Sequence, residues 1–475
     1  MIQPFRTGIA GLMFLMFAVA SVGASEVGHV AVHTHPFQVV PFIGLIVSLA
    51  LLQAIAPKLW HKHEKKIVAG WSLLTLLTLA FTNNWATVGE TIITTALDEY
   101  IPFIVLIATL TIVAGGIRIS GYLHGNPLTN LALIGVGSLL ASLIGTTGAA
   151  MVMIRPLVRA NEDRRHNAHV FVFFIFAVAN IGGALTPLGD PPLLIGFLNG
   201  VGFFWTTQHL ILPTLFILLV LCVVFLVVDR HFYHVDEAYK ETRLPRSERE
   251  GIRIEGLSNV ALMCVVVALV PLIGLWESPV KIAIGPAHMA LPDLVRSVLL
   301  VMLAAVSLAT TSSADRRENG FSWRPIEEVA TVFAGIFITL TPVLAMLREG
   351  KDGLFAPLVH LMTRADGSFS PPMFFWIAGM LSGILDNAPT YLAFFNLAGG
   401  DAQQLMTAGA EVLTALSCGC VFMGALTYVG NAPNMMVKSI ADNNRIAMPG
   451  FLGYMGWSFG VLMPIFLVTT LLFFR

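Results

Sequence analysis

Residues 180–192 read Asn-Ile-Gly-Gly-Ala-Leu-Thr-Pro-Leu-Gly-Asp-Pro-Pro, and they interrupt a long apolar segment with three Gly, three Pro, a Thr and a carboxylate. Proline removes a backbone donor and glycine costs helix stability, so a continuous helix is not expected there. Unwound backbone at membrane depth is tolerated only where it is buried in protein or lines a cavity. A carboxylate at such a break, here Asp190, is a functional group by default. The remaining apolar segments must therefore be arranged around this break.

The break has a counterpart. Residues 183–192 read GALTPLGDPP and residues 424–433 read GALTYVGNAP, identical at six of ten positions at an offset of 424 − 183 = 241. The same offset aligns residues 138–149 (SLLASLIGTTGA) with residues 379–390 (GMLSGILDNAPT). In both, an apolar run enters a tip of small and polar residues. Two breaks in register with two others argue for an internal duplication. Paired Gly/Pro-interrupted segments in corresponding halves point to a secondary transporter's binding site.

Only 12% of the 475 residues are charged and 56% are hydrophobic, whereas soluble domains carry about 25% charged residues. The expected fold class is an all-α polytopic membrane protein. A β-barrel would show alternating strands of about ten residues rather than long apolar runs. The net charge of −1 gives no reason to expect a nucleic acid partner. Cys222, Cys264, Cys418 and Cys420 fit no zinc spacing and no disulfide framework. Cys418 and Cys420 either bind a soft metal or are small residues at a helix interface. No HExxH pair or P-loop is present, so an enzyme is not expected.

Residues 1–24 have the charged, apolar and small-residue regions of a signal peptide, cleaved after Ala24 or retained as an anchor. Residues 25–38 form an external tail in which His29, His33 and His35 either bind a metal or are mobile. Lys and Arg positions then orient the spans in the cell inner membrane. Spans are expected at 39–56, 68–82 and 101–117, with Lys58, Lys62, Lys65 and Lys66 in a cytoplasmic loop and Glu90, Asp98 and Glu99 in an external one. Residues 128–156 begin and end on the cytoplasmic side, as a re-entrant hairpin does. Residues 169–200 form a broken span, and 209–228 complete a first repeat over 39–228. Residues 229–256 are a charged cytoplasmic linker. The second repeat, 257–475, has spans at 257–276, 293–309 and 326–346, a hairpin at 371–397, a broken span at 408–440 and a last span at 451–474. This makes about ten spans plus two hairpins. An odd number of crossings per half inverts the second copy.

The motifs ANIGGALTPLGDPP, LDNAPTYLAFFN and GALTYVGNAPN resemble those of the ion transporter superfamily, which includes NhaD-type sodium/proton antiporters, arsenite permeases, citrate–metal transporters and dicarboxylate transporters. The resemblance runs from residue 39 onward and is closest to the NhaD-related and citrate transporter branch. It implies a homodimer. Each protomer would hold a scaffold domain and a transport domain of two hairpins and two broken helices that moves as an elevator. In the dicarboxylate branch each hairpin tip carries Ser-Asn-Thr. Here the tips are Gly145-Thr146-Thr147 and Asp386-Asn387-Ala388, so only Thr146, Thr147 and Asn387 match in character.

Asp190 and Asp386 are the two carboxylates at the four breaks, and their counterparts at the offset are Asn431 and Gly145. Burial disfavours a charged carboxylate, so each can hold a proton or a cation, and competition of H⁺ with Na⁺ is the simplest exchange. Thr146, Thr147, Asn180, Thr186, Asn387, Thr390, Thr427 and Asn431 are expected to add neutral oxygens around Na⁺ at Asp190 and Asp386. The alternative role for these Asp residues is capping the half-helix that follows; Asp190-Pro191-Pro192 has the form of such a cap. Gly183, Pro187, Gly189, Pro191, Pro192, Pro389, Gly424, Gly430 and Pro433 shape the breaks. Glu327 and Glu328 are expected at a helix end, and His61 and His63 in a solvated loop.

The leading expectation is a secondary transporter exchanging Na⁺ or Li⁺ for H⁺ by alternating access, in contact with membrane lipid and with no cofactor beyond the coupling ions. The alternative is H⁺- or Na⁺-coupled transport of citrate or a related organic anion. Half-helix N-termini and hydroxyls can hold such an anion without Arg.

Overall fold

The computed structural model describes residues 20–22, 33–121, 123–238, 253–276, 278–284 and 287–475. Ten helical stretches among the described residues are long and apolar enough to cross a membrane, and the chain is an all-α multi-pass membrane protein. The number agrees with the sequence reading, and the membership differs at one place. Pro127–Ile144, expected as one arm of a hairpin, is among the ten. The expected span at 408–440 instead contributes a shorter apolar helix, Ala410–Leu426.

The first half runs α1 (Val39–Ile55), α2 (Pro57–Thr82), α3 (Trp85–Thr95), a π turn (Ala96–Tyr100), α4 (Ile101–Ala114), α5 (Pro127–Ile144), α6 (Thr146–Ala160), α7 (Ala168–Ala177), a 3₁₀ turn (Ile181–Leu185), α8 (Pro191–Leu198) and α9 (Phe203–Ala238). Asn84 and Asn126 start α3 and α5, their side chains accepting the amides of Thr87 and Thr129 at 2.8 Å, as N-caps do. The second half runs α10 (Leu257–Gly274), α11 (Leu291–Thr310), α12 (Arg324–Arg348), α13 (Gly379–Ser382), α14 (Asn387–Leu397), α15 (Ala410–Met423), a 3₁₀ turn (Gly424–Leu426), α16 (Ala432–Asn443) and α17 (Phe451–Phe473).

Three boundaries depart from expectation. The lysines at 58, 62, 65 and 66 lie within α2 rather than in a loop. Lys and Glu are good helix formers, and Pro57 in the first turn fixes the start. Glu90 lies on α3, and Asp98 and Glu99 in the π turn, where Pro102 lacks the amide that would continue a regular ladder. Residues 229–238 of the expected linker are the last turns of α9. Residues 239–252 of that linker, most of the signal-like segment and His29 lie outside the described residues.

Short strands join the loops. β1 (Ala20–Val22) pairs antiparallel with β4 (Lys281–Ile284), and β4 with β5 (Ala287–Ala290). β2 (Arg118–Ser120) pairs with β3 (Arg253–Glu255), tying the end of α4 to the start of α10. His33 and Asn83 exchange two hydrogen bonds (2.9 and 3.0 Å), so the described part of the tail is docked on the end of α2.

α4, α10 and α11 pack together, and α1, α2 and α12 form a second group. α12 also lies against α14. α7 occupies the centre. Phe171, Phe173, Phe174 and Phe176 are all fully buried, as in a helix that meets protein on every side.

Candidate functional site

Four helices begin at the interruptions. Only Gly145 separates α5 from α6, with φ +82°, a conformation that L side chains rarely adopt. α8 follows Asp190, α14 follows Asp386 and α16 follows Asn431. Pro389 and Pro433 fall in the first turns of α14 and α16, where a missing amide is tolerated. Pro187 lies between the 3₁₀ turn and α8.

Glycine permits the closest approaches. A Cβ on Gly189 would lie 2.0 Å from the Gly183 carbonyl oxygen, and one on Gly430 would lie 2.6 Å from that of Gly424. These two pairs are related by the offset of 241 (189 + 241 = 430; 183 + 241 = 424). So are two side-chain bonds: Thr186 donates to the Ser142 carbonyl, and Thr427 donates to that of Gly383 at 2.7 Å. Thr186 also accepts the Leu188 amide (3.2 Å), and Thr427 accepts that of Gly430 (3.1 Å). Both threonines tie interrupted backbone to the neighbouring arm.

Asp190 is 1% exposed and collects donors from three other breaks. Its Oδ1 accepts from Thr146 Oγ1 (3.0 Å) and Asn431 Nδ2 (2.9 Å), and its Oδ2 accepts from Asn387 Nδ2 (2.5 Å). It stands at the N-cap position of α8 without a side-chain cap bond. Pro191 and Pro192 remove the first two amides, and the Leu193 amide bonds to the Asp190 carbonyl instead (3.1 Å). The carboxylate is thereby left for tertiary partners.

The network continues outward through amides. Asn431 also donates to the Ala179 carbonyl (3.1 Å) and to Asn180 Oδ1 (3.2 Å). Asn180 donates to Asn434 Oδ1 (2.8 Å), and Asn434 donates to the carbonyls of Gly424 and Thr427, both at 2.9 Å. Asn434 was not among the expected site residues. Its signal was its position three residues after Asn431, on the same face of a helix. Asn387 is fully buried, and its Oδ1 has no hydrogen-bond partner among the described residues.

Other expected residues are placed differently. The half-buried Asp386 does cap, accepting the Ala388 amide at 3.3 Å. Thr390 donates back to the Asp386 carbonyl (2.8 Å). Among the described residues Thr147 makes no side-chain hydrogen bond, and neither Asp190 nor Asp386 has an ion pair. Lys438 pairs with Asp442 on its own helix (2.5 Å). Cys418 and Cys420 are free and fully buried in α15.

A separate buried cluster includes Asp229, which the sequence reading placed at the start of the charged linker. Arg164 and His169 both meet Asp229 Oδ1, at 2.6 and 2.7 Å, and Asn130 donates to Asp229 Oδ2 (3.1 Å). Asp229 is fully buried near the end of α9. Runs of charge at span ends look alike whether they are solvated or paired.

Residues 31–474 match a protein family described as "Putative citrate transport". An uncharacterized transporter of Mycobacterium bovis is 27% identical over 333 residues, covering 67% of this chain and 70% of that protein. A 46 kDa membrane protein of Mycobacterium leprae is 27% identical over 327 residues, covering 67% and 71%. An uncharacterized transporter of Mycobacterium tuberculosis is 27% identical over 333 residues, covering 67% and 70%. With nearly its whole length matched, the chain belongs to this citrate transport family, a family of membrane transporters and not of enzymes.

Proposed function

We propose that this protein is a secondary transporter of citrate or a related organic anion, coupled to H⁺ or Na⁺ through Asp190. One observation carries the coupling role. Asp190 is buried among neutral donors, with no cationic side chain paired to it among the described residues. An ionised carboxylate alone in such a site is costly, so it holds a proton or shares the site with a cation. It accepts three hydrogen bonds and has room for about four. The free oxygen of Asn387 adds a second ligand atom beside it. Asp386, next to Asn387 in sequence, supplies the second acidic group.

The anion reading rests on the family match and on the four helix starts. α6, α8, α14 and α16 begin at the four breaks, and helix N-termini carry partial positive charge suited to carboxylate groups. The sequence reading placed cation exchange first; the family match supports its alternative. Exchange of Na⁺ for H⁺ without an anion is the second reading, favoured by the absence, among the described residues, of any Arg or Lys paired to Asp190.

The hydrogen bonds and glycine contacts repeated at the offset of 241 support two inverted repeats, each with a re-entrant hairpin and a broken helix. Alternating access across the cell inner membrane fits that reading; the homodimer with a moving transport domain rests on the family resemblance alone. Radiolabelled citrate uptake into proteoliposomes under imposed H⁺ or Na⁺ gradients tests the proposal. Saturable, gradient-driven accumulation is expected. Cation-driven proton movement that ignores citrate would instead establish the exchanger.

A further inference from the structure

His61 and Glu64, three residues apart on α2, meet Glu328 from the second turn of α12. One ligand atom from each lies within 4.8 Å of the other two, and His61 Nδ1 is 4.0 Å from Glu328 Oε1. The cluster shares no residue with the network around Asp190. Glu64 Oε2 is buried and has no hydrogen-bond partner among the described residues. The neighbouring Lys65 is drawn to Glu327 (3.8 Å). Two carboxylates are thus held together, one with a buried bare oxygen, and among the described residues no Lys or Arg stands within ion-pair distance of Glu64.

The geometry points to a divalent transition-metal site formed by His61, Glu64 and Glu328. Ligands about 2.0–2.2 Å from a metal stand roughly 3–4 Å from one another, so side-chain adjustments of about 1 Å close the set. An imidazole with two carboxylates suits a first-row cation such as Zn²⁺ or Mn²⁺ better than Mg²⁺ or Ca²⁺. His61 is exposed, which leaves an entry path and positions for water. A bound ion would clip α2 to α12, the helix that packs against α14, so the site lies one helix removed from the breaks.

The test is equilibrium binding of ZnCl₂ and MnCl₂ to the full chain, purified without a polyhistidine tag. The expected result is one ion per chain and a metal-dependent rise in Tm. Glu64→Gln and Glu328→Gln should each weaken binding about 100-fold or more, since loss of outer-sphere partners alone costs 10–100-fold. Asp190→Asn should bind like the wild type, as should a variant with His29, His33 and His35 all changed to Ala. Zinc-edge X-ray absorption on the wild type should show a mixed nitrogen and oxygen shell with one imidazole, a result that needs no variant to fold. Binding that survives both Gln variants, or that vanishes with the tail histidines, would overturn the site.

Discussion

Pro191 and Pro192 decide what Asp190 can do. An Asp at an N-cap ordinarily accepts an amide from the second or third residue of its helix. Here the second residue is Pro192, and the third amide is taken by the Asp190 carbonyl. Pro192→Ala restores a donor at that position. It is expected to draw the carboxylate toward a cap worth about 1 kcal/mol and away from its three tertiary donors, slowing coupled transport without raising Tm. Asp386 has the opposite character. Because Asn caps as well as Asp, Asp386→Asn should leave the unfolding free energy within about 0.5 kcal/mol of the wild type. The same substitution should weaken affinity for the coupling cation, read from the cation dependence of uptake. Equal cation dependence in the variant would confine Asp386 to capping. Asn431→Ala, which removes one donor to Asp190 and bonds to two further acceptors, should cost about 1–3 kcal/mol in thermal unfolding.

The breaks themselves depend on glycine contacts that no other residue allows. Gly189→Ala and Gly430→Ala place a methyl within 2.0 and 2.6 Å of a carbonyl oxygen. Both are expected to destabilise the fold by more than about 2 kcal/mol. Gly456→Ala and Gly460→Ala meet nothing within 4 Å on α17 and should be tolerated; parallel melting curves compare the four. At this scale much was legible in the sequence. Gly, Pro, Thr and Asn stand out within apolar runs, so the interruptions near Gly145, Asp190, Asp386 and Asn431 were placed correctly. Helix ends were less legible, because the charged turns at Lys58–Lys66 and after Asp229 read the same as solvated loops. Partners brought together by packing were not legible at all. Nothing in the spacing says that Asn387 meets Asp190 or that Glu328 meets His61.

In the whole molecule, a second polar cluster holds the first half together. Asp229 on α9 meets Arg164 and His169, which flank the start of α7, and Asn130 on α5. Asp229→Ala leaves the buried Arg164 without this partner and should cost about 3–5 kcal/mol in thermal unfolding. The central claim is that Asp190 links movement of an organic anion to movement of a cation. The most direct test is proton and Na⁺ flux on adding citrate to proteoliposomes, comparing the wild type with Asp190→Asn. We predict citrate-dependent cation movement in the wild type. In a folded Asp190→Asn protein we predict that this movement is lost, with any remaining citrate flux unable to run against its gradient. Gradient-driven citrate accumulation by Asp190→Asn at the wild-type rate would contradict the account.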